Sequence, residues 1–397
     1  MGKSTPQLTQ AIEADVVIIG AGLVGLTAAI AMAKQHQRVV LIDSRLPKDD
    51  MPAHAWDARI YALTENTINW LKTLGVWPHL DTSRISPIDG MALWEPQHTT
   101  PLVLRAEDAN LMQMGCILEN SNLMRACMQT LADLQIAVTI AKPLSIQHHA
   151  QSVMVALDSL QSVHAKLLIA ADGVHSWVRQ QMQIGVSLKS FHQTAIVANF
   201  KAELPHQDIA KQWFRPHETL ALLPLPDQTV SMVWSVPQAR AKSLLALPSQ
   251  DLAQAVRENS HDVTGALTLC GEVLSFDLNQ QTAQTLIGAR MVLMGDAAHQ
   301  VHPMAGQGVN LGFRDVMQLT EMVAKLSTMH DIGDEGFLRR YARARQLDVV
   351  RMNTLTSGLD SMFASSAGWL QGLVGRGMQT MDCQAWLKKY LVQTATL

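Results

Sequence analysis

The stretch that most constrains this chain is DVVIIGAGLVGLTAAIAMAK, residues 15–34, where positions 16–33 carry no charge. A run of that length is long enough to cross a bilayer. Its glycines argue otherwise, because Gly20, Gly22 and Gly25 stand in GxGxxG spacing directly after the β-branched residues 16–19. The run then divides into a buried parallel strand, which reads as continuous apolar residues, and a helix over about 23–34 beyond a tight turn. The three glycines do different things. The first makes the turn, the second admits backbone to a pyrophosphate, and the third lets helix and strand pack closely. The diphosphate would rest on the helix N-terminus. A second strand, 38–42, leads to Asp43, whose carboxylate stands where it can accept a hydrogen bond from a ribose hydroxyl. Strand, glycines, helix, strand and acid in that order predict a dinucleotide-binding βαβ unit. They do not separate NAD from FAD.

At 397 residues the chain exceeds one ordinary domain of roughly 100 to 200 residues, so two domains are expected. Apolar residues make up 48% and charged residues 16%, enough to bury a large core. The 31 basic and 34 acidic residues leave a net charge of −3, which speaks against a nucleic-acid partner. Cys116, Cys127, Cys270 and Cys383 form no CxxC pair and no metal-ligand spacing, so a reducing cytosol without disulfides or a bound metal is expected. Residues 1–13 read as a flexible extension: they are mostly polar and lead into Glu13 and Asp15, unlike a secretory signal.

Two further stretches choose the cofactor. In KLLIAADGVHSWVR, residues 166–179, a strand runs into Asp172 and Gly173 and then a helix with Ser176 and Arg179. In residues 295–315, GDAAHQVHPMAGQGVNLGFRD, an apolar strand ends at Gly295 and Asp296 and a glycine-rich loop opens another helix. With these motifs in order, the chain resembles the flavin-dependent aromatic hydroxylases of the para-hydroxybenzoate hydroxylase type. The wording of the late motif, with DARIYAL at 57–63 and LALLPLPDQTVSMVW at 220–234, is similar to the ubiquinone-biosynthesis monooxygenases. The resemblance spans nearly the whole chain.

The resemblance implies that FAD is the cofactor, with Gly20, Gly22, Gly25, Asp43, Arg59, Asp172, Gly173, Gly295, Asp296, Gly308, Asn310 and Leu311 at its site. Many relatives end the second strand in Glu, so Asp43 has a shorter arm for the same ribose contact. Asp296 is suited to a ribityl hydroxyl, Pro303 stiffens the loop, and the backbone N–H groups of Gly306, Gln307 and Gly308 could face the flavin pyrimidine edge and stabilise its reduced anion. Arg59, placed on a helix starting near Ile60, is either a cofactor contact or half of a surface ion pair with Asp57. His302, with Pro303, Gly306 and Gln307, makes up the candidate catalytic set; His299 and His302 could each move a substrate proton or serve as structural histidines.

In the family, reduced flavin reacts with O2 to a C4a-hydroperoxide, which an electron-rich phenol ring attacks, so the cofactor carries the hard step. The protein positions the ring, excludes water and favours the phenolate. Electrons would come from NAD(P)H or a separate reductase; no second GxGxxG is present to bind a nicotinamide separately.

The expected fold is α/β: a Rossmann-like FAD-binding domain over 14–80, 110–185 and 285–345, an inserted antiparallel substrate sheet over 81–109 and 186–284, and a C-terminal helical region over 346–397. Alternating stretches such as AIVANF at 195–200 and VSMVWSV at 230–236 predict antiparallel strands between 191 and 276. Trp213, Phe214, Leu222, Leu223 and Trp234 are either pocket or core. The 21 methionines suit a greasy pocket or ordinary packing. Helices are expected over about 313–327 and 337–353, the second with a basic face from Arg339, Arg340, Arg343, Arg345 and Arg351. Trp369, Leu370, Leu373, Val374, Met378 and Met381 recur at helical spacing, either as an interfacial surface or as a helix packed on protein.

Together these readings predict an FAD-dependent monooxygenase that hydroxylates the ring of a polyprenyl phenol or quinol intermediate of ubiquinone synthesis. The expected location is cytoplasmic, peripheral on the inner face of the membrane, with other ubiquinone-synthesis proteins or a second copy as partners. The alternatives are a hydroxylase of a soluble aromatic compound and a non-catalytic flavoprotein scaffold.

Overall fold

The computed structural model describes residues 10–46, 56–96, 100–300, 308–327 and 330–364. A six-stranded sheet sits at the centre of one half. Its parallel strands lie in the order Met291–Leu293, Leu167–Ala170, Val16–Ile19, Val39–Asp43 and Val138–Ile140, with Ile287–Gly288 antiparallel at one edge. Val16–Ile19 is buried throughout, as a strand covered on both faces must be. One face carries the helices Leu23–Lys34, Asn120–Asp133 and Gly308–Ala324 over a core that includes Leu26, Ile30, Leu123 and Phe313. The other face is covered by a four-stranded sheet of Gln10–Glu13, Gln161–Ala165, Val153–Leu157 and Pro143–His148.

The second half is a nine-stranded sheet. Its long strand Val186–Ala202 pairs antiparallel with Thr229–Pro237 and Leu274–Ala283, and Glu218–Leu225 and Ile209–Arg215 extend it. Gly90–Trp94 and Leu102–Arg105 complete the edge, the former parallel to Ile209–Arg215. Alternation along these strands makes two unlike faces. One presents Phe200, Trp213, Leu220, Leu222, Met232 and Trp234, which pack under the helices Gln238–Leu245 and Ser249–Asn259; each large side chain so buried contributes about 1.5 to 3 kcal/mol. Trp94 stacks on Trp213 with ring centroids 4.6 Å apart. The opposite face carries Ala210, Gln212, Ala221, Leu223, Ser231 and Asn199, aligned by cross-strand register. A small sheet of Ile60–Thr64, Gly115–Glu119 and Ile85–Ile88 lies against that second face, sharing an apolar cluster with Ala210, Leu223 and Leu225.

Several local expectations change. Residues 60–64 form a strand rather than the start of a helix, because alternating Ile60, Tyr61 and Ala62 pair with Gly115–Glu119; the helix Glu65–Leu74 begins only after Thr64, whose hydroxyl caps Thr67 N–H. Two helices, 238–245 and 249–259, interrupt the strand-rich middle. The helix expected from 313 starts at Gly308, and Gly312 lies inside it because a Cβ there would meet Val24 of the first helix. Glu335–Ala364 is one continuous helix. Arg345 is not part of a basic surface: it is buried in an ion pair with Asp315. Of the paired pocket-or-core residues, Trp213, Leu222 and Trp234 are core under the two helices, whereas Leu223 lines a cavity on the other face. The apolar tail beyond 364 lies outside the described residues.

Candidate functional site

The parallel sheet brings three distant motifs to one edge. Gly20 follows Ile19, Asp172 follows Ala170 by two positions, and Gly295 follows Leu293 by two, and these three strands are neighbours. Turns at the carboxyl ends of adjacent parallel strands form the crevice where open α/β sheets bind ligands. Within it the glycines divide their work as the spacing predicts. A Cβ on Gly25 would fall on the carbonyl oxygen of Gly20, and Gly20 itself has φ +106° against the Ala171 backbone. A Cβ on Gly22 would meet nothing within 4 Å, which leaves the approach to the N-terminus of the helix Leu23–Lys34 clear. Asp43 closes the turn: its carboxylate accepts from Ala21 N–H at 2.7 Å and Arg45 N–H at 3.2 Å, with lone pairs left for a ribose hydroxyl.

The other two turns are braced by buried charge. Asp172 accepts from Ser176 Oγ at 2.6 Å and Val178 N–H at 3.0 Å; burial raises its carboxyl above the usual range against these bonds. Arg179 reaches from the following helix to the carbonyls of Ala297, at 2.8 Å, and Val174, at 2.7 Å, tying the central turn to the late one. Beneath Gly295 lies Asp315. It accepts from Gly295 N–H at 2.8 Å, contacts His299 Nε2 at 2.8 Å and pairs with Arg345 Nε at 2.7 Å. Burial alone would push its carboxyl up, but His299, Arg345 and Gly295 N–H outweigh it and hold the group below the ordinary range. His299 is buried against Asp315, at 3% exposure.

Asp296 opens into the cleft. Its side chain is solvent-accessible, yet protein crowds it closely enough to raise its carboxyl, with His299 and Arg59 opposing. Arg59 makes no ion pair with Asp57 among the described residues; Asp57 instead accepts from the backbone N–H of Arg59, at 2.9 Å, and of Ser121, at 3.0 Å. The Arg59 guanidinium lies over the Phe276 ring, 5.7 Å from its centroid, and its charge reaches Asp296. The loop carrying Arg59 is anchored by buried Glu119, which accepts from Asp57 N–H and pairs with Arg84 at 2.6 Å. Tyr61 faces the same acids; burial and their charge push its phenol up to about 12.

Asn310 spends its side chain on protein: Nδ2 donates to Ala62 O at 2.7 Å and Oδ1 accepts from Thr67 Oγ1 at 2.8 Å. It fastens the late helix to strand Ile60–Thr64. Leu311 is buried, and Gly308, at the helix start, has open space beside it. That strand is also one wall of a partly open, mainly apolar cavity of about 80 Å³, whose opposite wall is Met91, Ala210, Gln212, Ala221 and Leu223 of the large sheet. His302, Pro303, Gly306 and Gln307 lie outside the described residues. Sequence reasoning missed Asp315, Arg345 and Glu119. Asp315 ends the late motif and could have been singled out; nothing local marks the others, whose roles follow from packing between distant segments.

Residues 13–354 match the family model described as FAD binding domain. The chain is 33% identical to ubiquinone hydroxylase UbiL of Rhodospirillum rubrum, over 89% of this chain and 82% of the relative. It is 30% identical to 3-demethoxyubiquinol 3-hydroxylase of Escherichia coli, over 88% of this chain and 89% of that one. The chain belongs to the ubiquinone-biosynthesis family of FAD-dependent hydroxylases. It is an FAD-dependent monooxygenase. The fold is shared with p-nitrophenol 4-monooxygenase PnpA of Pseudomonas putida, at a TM-score of 0.78 and 17% identity over 97% of this chain and 98% of that one.

The crevice fits the flavin nucleotide this family uses. Open space at Gly22, the unspent lone pairs of Asp43, and a crowded acid at Asp296 opposite a cation at Arg59 suit a long, doubly phosphorylated polyol. When bound, FAD supplies the redox and oxygen chemistry of a monooxygenase. Among the described residues no helix is long and apolar enough to cross a membrane.

Proposed function

We propose that this monooxygenase hydroxylates the aromatic ring of a polyprenyl phenol or quinol intermediate of ubiquinone synthesis. The observation that carries the reading is the match to ubiquinone hydroxylases along more than four-fifths of both chains, at 33% identity in one case. In this reading Gly20, Gly22, Gly25 and Asp43 hold the adenosine diphosphate half of FAD, Asp172 and Gly173 shape the middle of the crevice, and Gly295, Asp296 and Arg59 hold the ribityl and flavin end. Asn310 and Leu311 act indirectly, by fixing the late helix. His302, Pro303, Gly306 and Gln307 belong to the loop over the flavin.

Residues 81–109 and 186–284 form the substrate domain, inserted between the parts of the FAD domain. The protein's share of the chemistry is to place the ring in the cavity between strand Ile60–Thr64 and the large sheet, to exclude water there, and to keep the phenol oxygen polarised. NAD(P)H or a reductase supplies electrons and O2 the oxygen atom. The enzyme works as a cytoplasmic protein at the inner membrane surface, where its substrate resides, beside other ubiquinone-synthesis proteins or a second copy.

The test is turnover by the purified FAD-loaded protein. A prenylated phenol should stimulate NAD(P)H oxidation and yield a product heavier by one oxygen, while para-hydroxybenzoate should not. The reverse preference would replace this substrate class by a soluble aromatic one.

A further inference from the structure

The cavity face of the large sheet holds polar groups that the protein leaves unspent. Gln212 is buried to 8% exposure and lines the cavity, in register with Ala221 on one side and Leu93 on the other. Its amide makes no side-chain hydrogen bond among the described residues. The other polar liners are already engaged: Thr64 caps a helix and Lys211 Nζ donates to His206 O at 2.9 Å. Two strands away, Ser231 stands opposite Leu223, and Asn199 opposite Ser231, on the same face. Ser231 Oγ and Asn199 Oδ1 are buried without a partner, but neither residue lines the cavity. Asn199 has spent only its Nδ2, on Asp57 O at 3.1 Å.

Buried polar groups are nearly always paired, and leaving one unpaired costs about 1 to 3 kcal/mol. On the opposite face, where the sheet meets its helices, the aligned residues Leu220, Leu222, Met232, Ala198 and Phe200 are apolar, and the indole N–H groups of Trp213 and Trp234 are buried there without a partner. What sets Gln212 apart is that it lines the cavity, where Ala62, Ile88, Met91, Ala210, Ala221 and Leu223 could recognise a ring only by shape. A cavity of about 80 Å³ holds a few atoms, so it takes one edge of a ring while the rest of the molecule lies in the cleft.

We propose that the Gln212 side-chain amide is the specificity-determining contact of this cavity, hydrogen-bonded to the oxygen substituent on the ring edge that enters it. This deepens the proposed function and rests on it for the identity of the ring. An amide both donates and accepts, so it serves a phenol hydroxyl, its phenolate or a methoxy oxygen. A site built to hydrogen-bond an oxygen discriminates against an analogue that lacks it, because the buried amide is then left unpaired.

The experiment compares the FAD-loaded wild type with Gln212→Met, which keeps length and removes the amide, and with Gln212→Leu as a second variant should the first fold poorly. The probes are 2-(3-methylbut-2-enyl)phenol and the same molecule without its hydroxyl, with binding read from the visible spectrum of bound FAD. The wild type should prefer the phenol by about tenfold. The variants should bind both probes alike, with unchanged FAD content, and should turn over the phenol with a raised KM and more peroxide per NAD(P)H oxidised. A merely structural role would weaken both probes equally, and an unchanged tenfold preference would mean that the amide serves water only; either result overturns the inference. A wild type that prefers the phenol but forms no hydroxylated product would instead sink the proposed function while leaving the contact in place, and a wild type that binds neither probe would remove both.

Discussion

The cofactor crevice and the large sheet build their sites in opposite ways. In the crevice the working parts are backbone: turns at the ends of three adjacent parallel strands, with glycines where a Cβ would collide or obstruct. On the large sheet the working parts are side chains, sorted by alternation into an aromatic face that holds the domain together and a face of small and polar residues that bounds a cavity. The first kind of site depends on residue identity at fixed spacing. The second depends on register between strands far apart in sequence. Substitutions should therefore fail differently in the two regions.

The largest effect is expected at Gly25. Gly25→Val would drive side-chain atoms into the Gly20 carbonyl, so the protein should not accumulate as a folded flavoprotein, read as loss of soluble protein carrying the flavin absorbance. Two changes should each cost about 3 to 5 kcal/mol in denaturant unfolding. Trp213→Ala empties a fully buried site on the aromatic face. Asp315→Asn removes the charge facing Arg345 and His299, and leaves the guanidinium buried against a neutral partner. Equal loss of stability from Ala221→Phe, on the cavity face, would break the distinction between the two faces.

How far the sequence could be read follows from the same contrast. The strand Val16–Ile19, the helix Leu23–Lys34 and Asp43 at the end of the next strand were legible because GxGxxG fixes a local geometry. The nearness of Asp172 and Asp296 to that turn was legible only through resemblance, since strand order is a tertiary fact. The strand at Ile60 reads locally as the start of a helix: periodicity is short there, and pairing with Gly115–Glu119 decides the state. Arg345 looks like one of five surface arginines because its partner Asp315 lies thirty positions away. Gln212 has no signal at all, since which face of a strand meets a cavity depends on what packs on the other side.

Smaller effects sharpen the comparison. Ala221→Phe should fill the cavity, raise KM for an aromatic substrate by about tenfold or more, near 1.4 kcal/mol, and leave FAD binding unchanged. Gly22→Ala should do the reverse: the fold persists, because the new Cβ meets no protein atom, while FAD is held more weakly. The pH dependence should be the mildest. Asp315 is depressed below the ordinary aspartate value of 3.8, so its contribution is present above that value and lost as pH falls through the folded value. Acid unfolding of Asp315→Asn should accordingly show a shallower loss of stability below about pH 4 than the wild type. Parallel curves for the two proteins would remove Asp315 from the acid transition.

The central claim is the ring of a prenylated intermediate, and mass spectrometry of lipid extracts tests it most directly. In a strain from which this chain has been deleted and which carries no second member of the family, the quinone should fall and a prenylated aromatic intermediate lacking one ring oxygen should accumulate. The mass of that intermediate would also show how many ring substituents are in place before this step. An unchanged quinone profile would contradict the account.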